Sequence, residues 1–131
     1  MDIPPIVCDM SAARDTPQQR LAEYGRLFGR ALTARERTAG GVRFRFRADG
    51  PDGPDGLEEW VRDLAAREKA CCAFFSSEVT ASAGEVVWDL TVPADEMAEA
   101  ILEEFFQLPE TAAAGPDEPL RRLADRGLRF V

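Results

Sequence analysis

The stretch Val42-Arg43-Phe44-Arg45-Phe46-Arg47 decides the fold class. Apolar and charged residues alternate through it without a break, and successive side chains of an extended strand point to opposite faces. Val42, Phe44 and Phe46 are therefore expected to face a core, with Arg43, Arg45 and Arg47 on a solvated face. A strand buried on one side needs other elements on that side, and the flanking sequence supplies them. Upstream, Thr16-Pro17-Gln18-Gln19 carries a capping box with proline at the first helical position. From there Leu21, Tyr24, Leu27, Phe28, Ala31 and Leu32 recur at three- and four-residue spacing as one buried face, with a stop and turn at Gly40-Gly41. Downstream, the repeat Pro51-Asp52-Gly53-Pro54-Asp55-Gly56 reads as loop. Asp55 with Glu58 then caps a second helix, whose stripe is Leu57, Trp60, Val61 and Leu64.

Further from this centre, Ile6–Met10 after Pro4-Pro5 suits a short strand, and Phe74–Ser82 with Glu85–Val92 suits a hairpin around Ala83-Gly84. Pro93 or Asp95 opens a third helix, with Met97, Ile101, Leu102, Phe105 and Leu108 on one face. Its Glu96, Glu99, Glu103 and Glu104 read as solvated. The order β-α-β-α-β-β-α predicts an α+β fold, a single sheet packed by helices, in one domain over residues 1–108. In 109–131, Glu110–Pro119 reads as a linker rich in Ala, Pro and Gly. Leu120–Arg126 reads as a short amphipathic helix closed by Gly127, with Leu128–Val131 extended. The apolar row Leu120, Leu123, Leu128 and Phe130 suits burial either on its own domain or against a second copy as a homodimer.

Composition excludes several function classes. The 131 residues include 24 acidic and 16 basic ones, and the net charge of -8 argues against nucleic-acid or anionic-membrane partners. No apolar run has membrane-span length, and Ile3–Val7 is too short for a signal-peptide core, so a cytoplasmic protein is expected. Histidine is absent, which removes Ser-His-Asp triads, Cys-His pairs and His-ligated zinc. No GxGxxG, P-loop, GxSxG or EF-hand pattern is present, and no nucleotide cofactor is expected.

The chemistry-bearing segment is Arg67-Glu68-Lys69-Ala70-Cys71-Cys72-Ala73-Phe74-Phe75. Continuing the second helix's stripe from Leu64 reaches Glu68, then Cys71 and Cys72. A carboxylate on a buried face is costly unless paired, and here its i+3 and i+4 neighbours are thiols. An odd cysteine count without an export signal does not suggest a disulfide framework. Adjacent Cα atoms, about 3.8 Å apart, also lie below the usual disulfide span. Cys71 and Cys72 are therefore expected to be free thiols. If the strand with Cys8 pairs beside the strand following Cys72, the three sulfurs converge at one sheet edge. Such a set without imidazole suits Hg(II), As(III), Cu(I) or similar soft ions, and zinc if Glu68, Asp9 or water adds a fourth ligand. Core packing of the cysteines as small hydrophobes is the competing expectation. Because the C-terminal end of a helix disfavours thiolate, lowered thiol pKa values would need a metal or another cation.

Cys8-Asp9-Met10, the helix with Tyr24, the strand Gly41-Val42-Arg43-Phe44 and above all Ala66–Phe75 resemble a small bacterial thiol-domain family. It is marked by a Glu-x-x-Cys-Cys-Pro-Phe block and occurs alone or fused behind the DNA-binding part of MerR-type regulators. The resemblance covers roughly residues 5–108. It implies a cytoplasmic domain that senses or binds thiophilic metals, with Glu68, Cys71 and Cys72 matching the block and Cys8 the early cysteine. Ala73 stands where the family has proline, and no helix-turn-helix precedes the match in this chain.

Three functions follow as expectations. The first is binding or detoxification of one thiophilic metal or metalloid ion by Cys8, Cys71 and Cys72, as in heavy-metal resistance. The second is a small cysteine/carboxylate enzyme, with Glu68 or Asp9 as acid or base and an apolar pocket of Phe74, Phe75 and Trp88. Its reaction would be carbon–metal bond protonolysis or thiolate chemistry on a small molecule. The third is a structural or partner-binding homodimer.

Overall fold

The computed structural model describes residues 6–48, 53–82 and 84–130. Pro4-Pro5, Pro51-Asp52, Ala83 and Val131, on which parts of the sequence-based expectations fall, lie outside them. The elements are β1 (Val7–Cys8), α1 (Pro17–Ala31), β2 (Leu32–Thr38), β3 (Gly41–Arg47), α2 (Gly53–Cys71), β4 (Ser76–Ser82), β5 (Glu85–Thr91), α3 (Glu96–Phe106), α4 (Leu108–Thr111), α5 (Asp117–Asp125) and β6 (Arg129–Phe130). The fold is α+β. No helix among the described residues is long and apolar enough to cross a membrane.

The alternating strand sits inside the main sheet, an antiparallel ladder in the order β2-β3-β5-β4. β3 and β5 pair from Gly41↔Thr91 to Arg47↔Glu85. That register puts Val42, Phe44 and Phe46 beside Val86, Trp88 and Leu90 on the buried face. Phe28 of α1 packs on Phe44, Tyr24 stacks on Trp88, and Phe105 of α3 meets both Tyr24 and Phe75. The opposite face carries ion pairs from Arg43 to Asp89 and from Arg45 to Glu36 and Glu85.

α1 starts as the sequence predicts: the Thr16 hydroxyl accepts from the Gln19 N–H at 3.1 Å, and the Gln19 side chain accepts from the Thr16 N–H at 2.9 Å. It stops at Ala31, well before Gly40-Gly41. Leu32–Thr38 is instead an edge strand that the helical stripe concealed. Ala34, Arg35, Glu36 and Arg37 favour helix intrinsically, but pairing with β3 and ion pairs from Arg35 to Glu110 and Arg37 to Glu103 hold them extended. Gly40, at φ +73°, turns the hairpin. A Cβ on Gly41 would collide with the Leu90 carbonyl oxygen across the ladder. Gly41→Ala is thus expected to destabilise by about 1–3 kcal/mol through overpacking, whereas Gly29→Ala, which meets no atom within 4 Å, should not. Chemical denaturation of the two variants checks this.

Two boundaries shift. α2 begins at Gly53 within the Pro/Gly repeat, because proline is tolerated in a first helical turn, so Asp55 lies inside the helix and not at its cap. Half of the linker expected over Glu110–Pro119 is helical, shared by the end of α4 and the start of α5, with turn between them. Beyond it, β6 pairs in parallel with β1, Val7↔Arg129 and Cys8↔Phe130, as a second small sheet. The first strand thus pairs with the tail, not with the strand after Cys72. Leu123 and Leu128 are buried, and Leu120 and Phe130 pack half-buried on the same core. The row folds back on its own chain. Glu104, expected on a solvated surface, is also buried. Arg122 and Arg126 of the tail bind its two oxygens at 2.7 and 3.0 Å.

Candidate functional site

Three elements meet at the cysteines. α2 ends at Cys71, where the Cys72 N–H still donates to the Glu68 carbonyl at 2.7 Å. After that bond the chain leaves the helix, so two adjacent residues can serve one centre, which a continuing helix would prevent. The Asp9 N–H donates to the Cys71 carbonyl at 2.7 Å and ties β1 to the same place. The three sulfurs all lie within 4.8 Å of one another, and all three residues are buried.

The expectation of free thiols is corrected. Cys8 and Cys72 form a disulfide with Cα atoms 4.5 Å apart, and only Cys71 keeps its thiol. Adjacency forbids a 71–72 bond on geometric grounds but says nothing about either residue bonding across the fold. Cys71 Sγ sits 3.7 Å from Cys72 Sγ and 3.6 Å from the Glu68 carbonyl oxygen.

Glu68 is buried where the stripe puts it, and its partner comes from α1. Arg20 Nη1 donates to Glu68 Oε2 at 2.9 Å and to Cys71 Sγ at 3.5 Å. Asp15 holds the rest of that guanidinium, at 2.6 and 2.9 Å. The Tyr24 hydroxyl donates to Glu68 Oε2 at 3.1 Å, and Glu68 Oε1 lies 3.9 Å from Cys72 Sγ. Burial pushes the Glu68 carboxyl above its ordinary range, against the pull of Arg20. Burial, then the Glu68 charge, raises the Cys71 thiol, with Arg20 opposing. Burial and Glu68 raise Tyr24 well above its usual value. The hydrogen bond from Arg20 holds Asp15 low. Arg20 is thus the cation that the helix end calls for, yet it does not outweigh burial. The sequence signal for it was the one that marked Glu68: a charge four residues before Tyr24, on an apolar stripe.

The other expected site residues lie elsewhere. Asp9 is exposed, its carboxylate accepting from Ser11, which lowers its pKa. Phe74, Phe75 and Trp88 are core side chains, and the Trp88 indole N–H donates to Ser77. The cavity beside the sulfurs, about 530 Å³, is open to solvent and lined by Arg14, Asp15, Arg20, Asp63, Arg67 and Cys71 among others. Arg67 crosses its wall to Glu23, Asp63 and Asp15. A second, much smaller space of about 20 Å³ touches Cys8, Glu68 and Cys71 among apolar residues of α1, α3 and the tail. Compared with protein-family models, curated proteins and solved structures, the chain matches none.

Proposed function

We propose that the reduced protein binds one thiophilic metal or metalloid ion through Cys8, Cys71 and Cys72. The observation that carries this is the convergence of three sulfurs within 4.8 Å in a chain with no histidine. A trigonal ion with metal–sulfur bonds of about 2.3 Å sets its sulfurs about 4.0 Å apart, close to the 3.7 Å from Cys71 to Cys72, whereas the bonded Cys8 and Cys72 sulfurs must move apart on reduction to reach it. Two-electron reduction of the Cys8–Cys72 bond frees the remaining two donors. Three thiolates around a divalent ion leave one negative charge, beside an Arg20 guanidinium that donates to Cys71 Sγ while also pairing with Asp15 and Glu68. Thiolates without imidazole prefer Hg(II), As(III) or Cu(I) to hard ions. The enzyme alternative asks for an apolar substrate pocket of Phe74, Phe75 and Trp88, and these pack in the core while the open cavity has charged walls.

Titrating the reduced protein with Hg(II) should give a one-to-one complex with a thiolate-to-metal absorption band. Cys71→Ser/Cys72→Ser should lose it, and unchanged binding in that double variant would overturn the assignment. Because the ion displaces a proton from a thiol whose pKa burial has raised, apparent affinity is expected to climb with pH through neutrality and beyond. Competition titrations at several pH values read this directly.

A further inference from the structure

Of the three sulfurs, Cys71 alone lines the open cavity. Cys72 is fully buried, and Cys8, 3% exposed, borders the smaller space, which Cys71 also touches. All three residues are buried, and the open cavity brings solution nearest to Cys71, the free thiol beside the disulfide. Cys71 Sγ lies within 4.8 Å of both bonded sulfurs, close enough to exchange with them. We infer that Cys71 is the exchange thiol of the cluster, and that the open cavity is a site for small thiols and their disulfides.

The chemistry balances without another oxidant. Cys71 attacks Cys8 Sγ, the Cys8–Cys72 bond breaks, and Cys72 takes up the proton that Cys71 loses. Attack on Cys72 would instead join neighbouring residues, whose Cα spacing is too short for an ordinary disulfide. The new Cys8–Cys71 bond now borders the cavity. A small thiol attacks Cys71 Sγ, forming a mixed disulfide there and releasing Cys8 as a thiol. A second small thiol attacks the sulfur of the bound one, leaves with it as a disulfide, and restores Cys71. Two small thiols are oxidised for one protein disulfide reduced. The cavity wall carries Arg14, Arg20 and Arg67 together with Asp9, Asp15 and Asp63, with Arg67 and Asp63 paired to each other. A wall of both charges fits a small thiol carrying both carboxylate and ammonium groups. The inference goes beyond ion binding: exchange at Cys71 stands or falls whether or not an ion is ever held.

The test uses the oxidised, folded full chain and reduced glutathione, with iodoacetamide quenching and peptide mass mapping. The first mixed disulfide is expected on Cys71. Cys71→Ala should slow reduction of Cys8–Cys72 by at least about tenfold, with no difference once both proteins are unfolded in guanidinium. Ala70→Trp, which narrows the cavity and leaves every sulfur in place, should slow it as well. A first adduct on Cys8 or Cys72, reduction of Cys71→Ala at the parent rate, or a folded parent protein that glutathione leaves oxidised would each overturn the inference. Should Cys71→Ala fail to fold, adduct mapping on the parent chain decides alone.

Discussion

Replacing Arg20 with methionine is expected to lower the unfolding free energy by about 3–5 kcal/mol, the cost of leaving a buried charge without its partner. Arg20 and Glu68 are 3% and 4% exposed, so solvent does little to screen the pair or to replace the lost guanidinium. The same substitution strips Asp15 of both its short hydrogen bonds from Arg20. Glu68 should respond by holding its proton to higher pH. A carboxyl whose folded pKa exceeds its unfolded one binds more protons when folded, so stability falls as pH rises from the unfolded value through the folded one. The deficit of Arg20→Met is therefore expected to be smallest in acid and full above the raised Glu68 pKa. Adding Glu68→Gln should restore part of the loss, since it removes the stranded charge. Guanidinium unfolding curves of the two single variants and the double variant measure this. A single-variant loss below about 1 kcal/mol would mean that the pair behaves like a surface ion pair.

Deleting residues 110–131 should abolish cooperative unfolding. Leu123 and Leu128 leave the core, and truncations at such sites cost about 2–5 kcal/mol each. Glu104 loses both arginines, and β1 loses the strand beside Cys8. Together these approach the whole stability of a typical domain, about 5–15 kcal/mol. Leu123→Ala, the milder variant, should unfold cooperatively at a midpoint lowered by about 2–5 kcal/mol. Circular dichroism melts with analytical ultracentrifugation distinguish the outcomes. A truncated chain with an unchanged melt would show that the tail does not pack on this core.

How much of this was visible beforehand follows from which signals are local. β3 was legible because three apolar residues alternate with three arginines, and α1 because its capping box involves four consecutive residues. Glu68 was legible as a carboxylate on an apolar stripe. β2 was not: its residues read as helix, and only the ladder with β3 and the pairs to Glu103 and Glu110 make them a strand. Glu104 and Arg20 were missed for a related reason. Each is charged and buried, and it pairs with groups distant in sequence, 18 and 22 residues away for Glu104 and 48 from Arg20 to Glu68. The other carboxylate partner of Arg20, Asp15, is only five residues away. The convergence of three cysteines was anticipated through a different strand pairing. The structure achieves it by the Asp9–Cys71 backbone hydrogen bond and the β1–β6 ladder, neither of which has a sequence signature.

The Cys8–Cys72 bond also has a topological consequence. It joins residues 64 apart, closing a ring of chain that contains α1, β2, β3 and all of α2. In the chain-entropy picture a ring of that size withholds about 4 kcal/mol of conformational freedom from the unfolded ensemble. An ion gripped by Cys8 and Cys72 together would close the same ring with a different clasp. The oxidised and ion-loaded chains would then share a constrained unfolded state, and the reduced, empty chain would have the least to lose by unfolding.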